Sequence, residues 1–437
     1  MHKVHLTQCQ IHSDSGKAKL LRGGPLKTLS LFTGAGGLDL GFESAGFRII
    51  GCVEIDSDAR ATIMANRPGW NLLPEGDIAN INPAHLVKAL SIHTRGLDLL
   101  LAGPPCQPFS KSAFWATGST RRMKDPRSGT LRKLVKIIES ALPKAIVIEN
   151  VRGIAFAEKD DAIRMLKRGL QLINRTQGTR YRLAVIPMQA TDYGVPQIRE
   201  RVFLVAFRDG TLLENPAATH GSGCCPELLP VPTAWDAIGG IVPSPAEMKT
   251  LTLRGKWARL IPSIPEGHNY LWHTERGGGL PLFGWRTRFW SFLLKLARDK
   301  PSWTLQACPG PATGPFHWDN RLLSIREMAR LQTFPDDYHI CGNYGSARRQ
   351  LGNAVPPALS EALARTIEAK LLNKGGRTRA SFCIPVKLGR PAAEPASEVP
   401  IDYYRLVGKH AEHAGPGKGP GATLRGTKPA DSRSQAA

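Results

Sequence analysis

A chain of 437 residues, 42% hydrophobic and 22% charged, holds enough apolar material for one large or two medium domains with real cores, which excludes a disordered or fibrous protein. No apolar run approaches the length of a membrane span, and the opening residues MHKVHLTQCQ lack the apolar stretch of a secretory signal, so the expected setting is the cytoplasm or nucleoid, with no membrane partner. Eight scattered cysteines, of which only Cys224 and Cys225 adjoin, point to reduced thiols rather than a disulfide frame or metal site, and a formal net charge of +22 points to a polyanionic partner.

Residues 1–26 show no sustained periodicity and read as a flexible leader. From Thr28, TLSLF is a short strand, GAGG a tight turn, and Leu38, Phe42 and Ala45 recur at helical spacing before Gly46 closes the helix. Arg48 to Ile55 is the next strand. It ends in Glu54, about twenty residues after the glycines, where a nucleotide-binding α/β unit places an acid for ribose hydroxyls. The glycines alone could serve only a turn that needs positive φ. Asp77, in EGDI, sits where a third strand would end, although an N-cap acid in a turn has the same appearance. Pro83 to His93 reads as a helix. The glycine backbone, Glu54 and Asp77 would then line the carboxyl ends of successive strands, the usual ligand crevice of an open sheet.

Leu99 to Ala102 reads as a buried strand, and Gly103, Pro104, Pro105 and Pro108 forbid both helix and further ladder pairing, so Cys106 is presented on a stiff loop. A cysteine after a strand is by itself most often of no chemical consequence. The polar segment Lys111 to Ser128 has the composition of a solvated loop. Arg121, Arg122, Lys124, Arg127, Arg132, Lys133 and Lys136 make the region beside it electropositive. Leu131, Leu134, Ile138 and Leu142 mark a helix, and Ala145 to Ile148 a strand that delivers Glu149. Ala162 to Ile173 is an amphipathic helix, and Tyr181 to Pro187 and Arg201 to Phe207 are strands. Between those strands, Gly194 and Pro196 make a turn that would aim Gln197, Arg199 and Arg201 at the crevice; the alternative is a surface charge cluster.

From Asp209 the texture changes, with frequent Pro, Gly and Trp, and residues 209–323 read as a second, smaller domain. Basic residues interleaved with aromatics, as in TERGGGLPLFGWRTRFW, suit contact with phosphates and bases and equally suit an irregular hydrophobic core. Ile325 to Gln332 is a short helix. GNAVPP precedes a longer one carrying Leu359, Leu363, Ile367 and Leu371. Residues 375–437, rich in Gly, Pro, Ala and basic side chains, read as a flexible tail.

Six blocks in this order, LFTGAGGLDLGF, GPPCQPFS, ENV, QIRER, REMARLQTFP and GNAVPP, resemble those of the cytosine-C5 DNA methyltransferases over most of Lys27 to Leu372. The resemblance implies an α/β, Rossmann-like S-adenosylmethionine-dependent methyltransferase sheet (27–208, rejoined by 324–374) with a target-recognition domain at 209–323. It implies S-adenosyl-L-methionine as cofactor, with Phe32 near the adenine, Gly34, Gly36, Gly37 and Leu38 in the turn, Glu54 at the ribose hydroxyls, and Ile55 also cofactor-binding. Asp77 would lie near the adenine amine, and Ile78, Pro105, Asn353 and Val355 beside the cofactor. Cys106 would be the nucleophile, Glu149 the partner of cytosine N3 and the exocyclic amine, Arg201 the holder of Glu149 and the base's O2, and Arg199 a group nearer the phosphate backbone. Gln197 and Ser110 would bind substrate, and no metal is implied. The implied partner is double-stranded DNA, bound by a monomer of compact bacterial type whose functional companion is a restriction endonuclease.

The residue types suit that chemistry. A thiolate added at C6 makes C5 enamine-like, and the attack comes from above the ring plane, so the base must leave the stack. A nicotinamide oxidoreductase would share the glycine turn and acid but would not need GPPC, ENV and QIRER together. An adenine amino-methyltransferase would carry Asp or Asn before Pro-Pro, where this chain has Gly103. A tRNA cytosine methyltransferase of the same family is set apart by a Cys-Phe-Thr tripeptide that is absent here. A catalytically silent DNA-binding relative would have no need to keep Cys106, Glu149 and Arg201.

Overall fold

Six apolar runs pair side by side in the computed structural model: β1 (Leu26–Leu31), β2 (Phe47–Val53), β3 (Leu99–Ala102), β4 (Ala145–Asn150), β5 (Ala184–Gln189) and β7 (Glu200–Phe207), with a two-residue β6 (Gln197–Ile198) outside the sheet. The structure describes residues 24–105, 128–151, 161–221, 226–284, 290–310, 312–373, 381–382, 384–387 and 389–409. The sheet order is β2-β1-β3-β4-β7-β5; the first four strands are parallel and β7 runs antiparallel to both its neighbours. Because β1 lies between β2 and β3, the chain leaves it in opposite directions, and the crevice opens above the carboxyl ends at that point.

The helices are α1 (Gly37–Ser44), α2 (Ser57–Asn66), α3 (Pro83–Ala89), α4 (Ser128–Ala141), α5 (Asp161–Gln177), α6 (Ala234–Ile238), α7 (Pro245–Leu251), α8 (Ile325–Leu331), α9 (Tyr344–Asn353) and α10 (Pro357–Leu372). Alternate residues of each central strand bury against different layers, which is why LLLA and AIVIEN are apolar without a break. Leu100, Ile146 and Leu204 join Leu134, Ile138, Leu166 and Leu170 of α4 and α5 on one side. Leu101, Val147 and Phe203 join Leu38 and Phe42 of α1 and Leu359 and Leu363 of α10 on the other. The approach of α1 to α10 requires glycine: a Cβ at Gly37 would lie 2.3 Å from the Val355 carbonyl oxygen, and one at Gly41 would lie 2.1 Å from Ser360 Oγ.

Three sequence expectations are corrected. No strand ends at Asp77: Leu72 makes a single bridge to Cys52, and the chain then turns at once. The stretch 209–323 does not pack as one body. Ala234, Ile238, Leu305, Trp318 and Leu323 share a core with Leu40, Ile49 and Trp70 of the first domain. A separate core holds Leu260, Ile264, Tyr270, Leu293 and Phe316, with Trp257, Phe283 and Phe292 packed against it, so these aromatics are structural. Third, residues 389–409 are not a loose tail. Ser397 N–H donates to the Pro262 carbonyl (3.0 Å), and Tyr403, 7% exposed, stacks on Trp257 (5.9 Å between centroids, 15° between planes). Its hydroxyl donates to the Lys256 carbonyl at 2.7 Å.

Truncating Tyr403 to alanine therefore opens the smaller core. We expect a stability loss of about 2–4 kcal/mol, measured by urea unfolding, because a buried aromatic and its hydrogen bond are removed together. A loss indistinguishable from that of an exposed substitution would contradict this packing.

Candidate active site

The turn after β1 is built on positive φ: Phe32 at 59°, Gly34 at 58° and Gly36 at 78°, the last serving as the residue before α1. This geometry turns the Gly34 N–H onto Glu54 Oε2 at 2.7 Å, while the Asp56 N–H donates to Oε1 at 2.8 Å. Glu54 is 7% exposed and keeps further acceptor lone pairs beyond those two bonds. A Cβ added at Gly34 would have no heavy atom within 4 Å, so the space over this turn is open. Such an acid can accept from vicinal hydroxyls.

Gly76 was missed in the sequence. A Cβ there would lie 2.3 Å from the Glu54 carbonyl oxygen, so only glycine lets the Asp77 segment close on Glu54; a glycine directly before an acid was the available signal. Arg60 Nη1 ties the two segments, donating to the Glu54 and Leu73 carbonyls at 3.1 and 3.0 Å. Asp77 Oδ1 accepts the Ala79 N–H at 2.9 Å, which is the turn-capping alternative, and its carboxylate stays half-buried at the crevice. Ile55 and Asn353 are exposed and Phe32 half-buried, whereas Gly37, Leu38, Ile78 and Val355 are buried and form the wall behind them. Beneath the turn, Asp39 is 1% exposed, neither carboxyl oxygen has a hydrogen-bond partner, and burial pushes its pKa up to about 7. Burial likewise pushes the Cys52 thiol up, which makes it inert.

At the end of β4, Glu149 Oε1 meets Arg201 Nε at 2.7 Å, with side-chain exposures of 12% and 9%. Burial pushes the Glu149 carboxyl above its ordinary range, opposed by the charges of Arg201 and Arg199. Across from it stands Gly103, where a Cβ would lie 3.8 Å from Glu149 Oε2 and 3.6 Å from the Phe32 carbonyl oxygen. The bare backbone of Gly103 thus separates the glycine turn from the Glu149 carboxyl by one residue's width. Asn150 Nδ2 donates to the Pro104 carbonyl (3.5 Å), fixing the root of the loop, and Pro105 is exposed. Cys106 and Ser110, which that loop carries, lie outside the described residues.

Gln197 and Arg199 are both buried, at 0% and 1% exposure, and their side chains are engaged by the protein itself. Gln197 Oε1 accepts the Leu305 N–H (3.2 Å) and its Nε2 donates to the Leu331 carbonyl (3.3 Å), while Arg199 Nη2 donates to the carbonyls of Gly352 and Ala354, both at 2.7 Å. The pairing of β6 with Ser302–Trp303 draws these polar side chains inward. Among the described residues there is no cluster able to hold a metal ion and no helix long and apolar enough to cross a membrane.

A model of the family described as C-5 cytosine-specific DNA methylase matches residues 26–232 and 295–369. Type II methyltransferase M.SacI of Streptomyces achromogenes is 35% identical over 401 residues, covering 84% of this chain and 98% of that protein. Type II methyltransferase M.NgoFVII of Neisseria gonorrhoeae is 33% identical over 344 residues, covering 78% and 86%. Among solved structures, a putative DNA modification methyltransferase encoded within an E. coli prophage shares the fold, with a TM-score of 0.57 at 23% identity over 80% of this chain and 100% of that one. A DNMT2 mutant of Spodoptera frugiperda does so at 0.52 and 17%, over 78% and 99%.

Proposed function

The chain belongs to the C-5 cytosine-specific DNA methylase family and is an S-adenosyl-L-methionine-dependent DNA (cytosine-5-)-methyltransferase of restriction-modification type, and from that premise we propose how its residues divide the work. The cofactor supplies an electrophilic methyl group when bound. Glu54 would accept from its ribose hydroxyls, the Gly34 turn and Phe32 would cradle the adenosine, and Asp77 and Asn353 would border it. The open space over Gly34 and the spare lone pairs of Glu54 support that assignment.

On the base side, Cys106 Sγ would add to C6 of a cytosine swung out of a duplex, pushing the ring's electron pair toward C5 and N3. Glu149 in its protonated form would donate to N3, and Arg201 would hold Glu149 and the O2 edge. Loss of the C5 proton and expulsion of the Cys106 thiolate restore the aromatic ring after methylation. The smaller core of 253–322 and the segment 233–294, which the family match skips, would select the sequence around the target. The enzyme would work as a monomer, with a cognate endonuclease as functional companion.

The observation that carries this reading is the contact-distance juxtaposition of Gly103, Glu149 and the Phe32 carbonyl at the root of the Cys106 loop. Bisulfite sequencing of DNA from cells expressing the chain tests it. The expected result is protected cytosines at one recurring short sequence; conversion at every cytosine would refute it.

A further inference from the structure

Arg199 is an arginine buried to 1% exposure in a protein whose partner is a polyanion, so its charge has been withdrawn from the surface for another purpose. Its two Nη2 hydrogen bonds bracket a single residue, Asn353, by holding the carbonyls on either side of it. Nη1 donates to the Leu305 carbonyl at 3.2 Å and to Gln197 Oε1 at 3.4 Å. The held end of α9 also has no slack on the other side, since a Cβ at Gly352 would lie 2.4 Å from Ala307 Cα. In the other direction the Arg199 backbone is locked into the sheet end. Its N–H donates to Gln189 Oε1 (2.8 Å) and its carbonyl accepts the Ala190 N–H (2.9 Å). Two residues further on, Arg201 grips Glu149.

Arg199 is therefore fastened through its planar guanidinium to the C-terminal end of α9, which carries Asn353, and through its backbone to the entry of the strand carrying Glu149's partner. A shift of this helix end must either break charge-assisted bonds or move the strand with it. We propose that Arg199 is the positioning residue that couples the two sites, so that filling the S-adenosyl-L-methionine crevice beside Asn353 tightens the hold on the flipped cytosine, and the reverse. The coupling rests on the site reading proposed above, and by linkage it must be equal in both directions.

The coupling is measured by titrating a target duplex carrying 2-aminopurine into wild-type protein and Arg199→Lys, with and without saturating S-adenosylhomocysteine. In wild type the homologue should tighten duplex binding by about tenfold or more, and in Arg199→Lys by less than about twofold, with binary affinities changed only modestly. A merely structural role would lower both binary affinities and leave the ratio intact. A ratio near one in wild type, or an unchanged ratio in the variant, would overturn the proposal. Should the variant fail to fold, hydrogen exchange on wild type decides: duplex alone must slow the amides of residues 353–355, and no slowing overturns it. Asn353→Ala separates the two readings. Unaltered S-adenosylhomocysteine affinity there would remove the cofactor-site reading and the coupling with it, whereas an unchanged ratio in Arg199→Lys removes the coupling alone.

Discussion

Replacing Cys106 with serine is expected to lower methyl transfer by on the order of 10³-fold or more while leaving duplex affinity within a few-fold of wild type. The reason is electronic rather than steric. An ordinary thiol is a few per cent thiolate at neutral pH, whereas a serine hydroxyl has no comparable anion to offer C6. The loop's root is set independently of the sulfur: the Gly103 N–H donates to the Leu31 carbonyl at 3.2 Å, and Asn150 Nδ2 holds the Pro104 carbonyl. β3 below it is buried on both faces. Serine therefore leaves the frame in place. Tritium transfer from labelled S-adenosyl-L-methionine and duplex affinity, taken on one preparation, decide the matter; substantial turnover by the variant would dismiss Cys106 as nucleophile.

What could be seen in the sequence were the residues placed by strand ends. Glu54 and Glu149 follow apolar runs, Gly34 and Gly36 open a helix, and each of those positions is dictated by a few neighbours in the chain. The burial of Gln197 and Arg199 was not legible, because their partners arrive from far away: Leu305, Leu331, Gly352 and Ala354 supply the carbonyls and N–H that make a polar stretch internal. No local pattern distinguishes such an arginine from one waiting for a phosphate. Tyr403 was lost for a different reason. The Pro- and Ala-rich segment around it forms almost no regular structure, and its place is set by one aromatic ring entering a core assembled from residues 253–322. Gly76 and Asp39 show the same limit, since a close approach and an unpaired buried carboxyl exist only once the second segment has been placed.

Glu149→Gln should lower kcat by about 10²–10⁴-fold, the usual range for a positioned proton donor in a desolvated site, with much smaller changes in duplex affinity. The amide keeps a carbonyl for Arg201 Nε and about the same volume, so the ion-pair geometry of 2.7 Å is weakened rather than vacated. Its NH₂ can still donate toward N3, but it cannot give up a proton to charge developing on the ring. The pH dependence gives the sharper signature. Burial raises the folded pKa of Glu149 above its unfolded value despite the opposing pull of Arg201 and Arg199. The protonated form is thus favoured on folding, and its contribution to stability is full below the ordinary carboxylate pKa and lost as pH rises through the raised one. The same titration removes the donor that N3 needs, so wild-type kcat should fall on the alkaline side of that pKa. In Glu149→Gln that limb should vanish, leaving a low and flatter profile, because an amide does not titrate. A variant that keeps kcat within tenfold of wild type, or that retains the alkaline limb unchanged, would show that the proton reaches the base from another group.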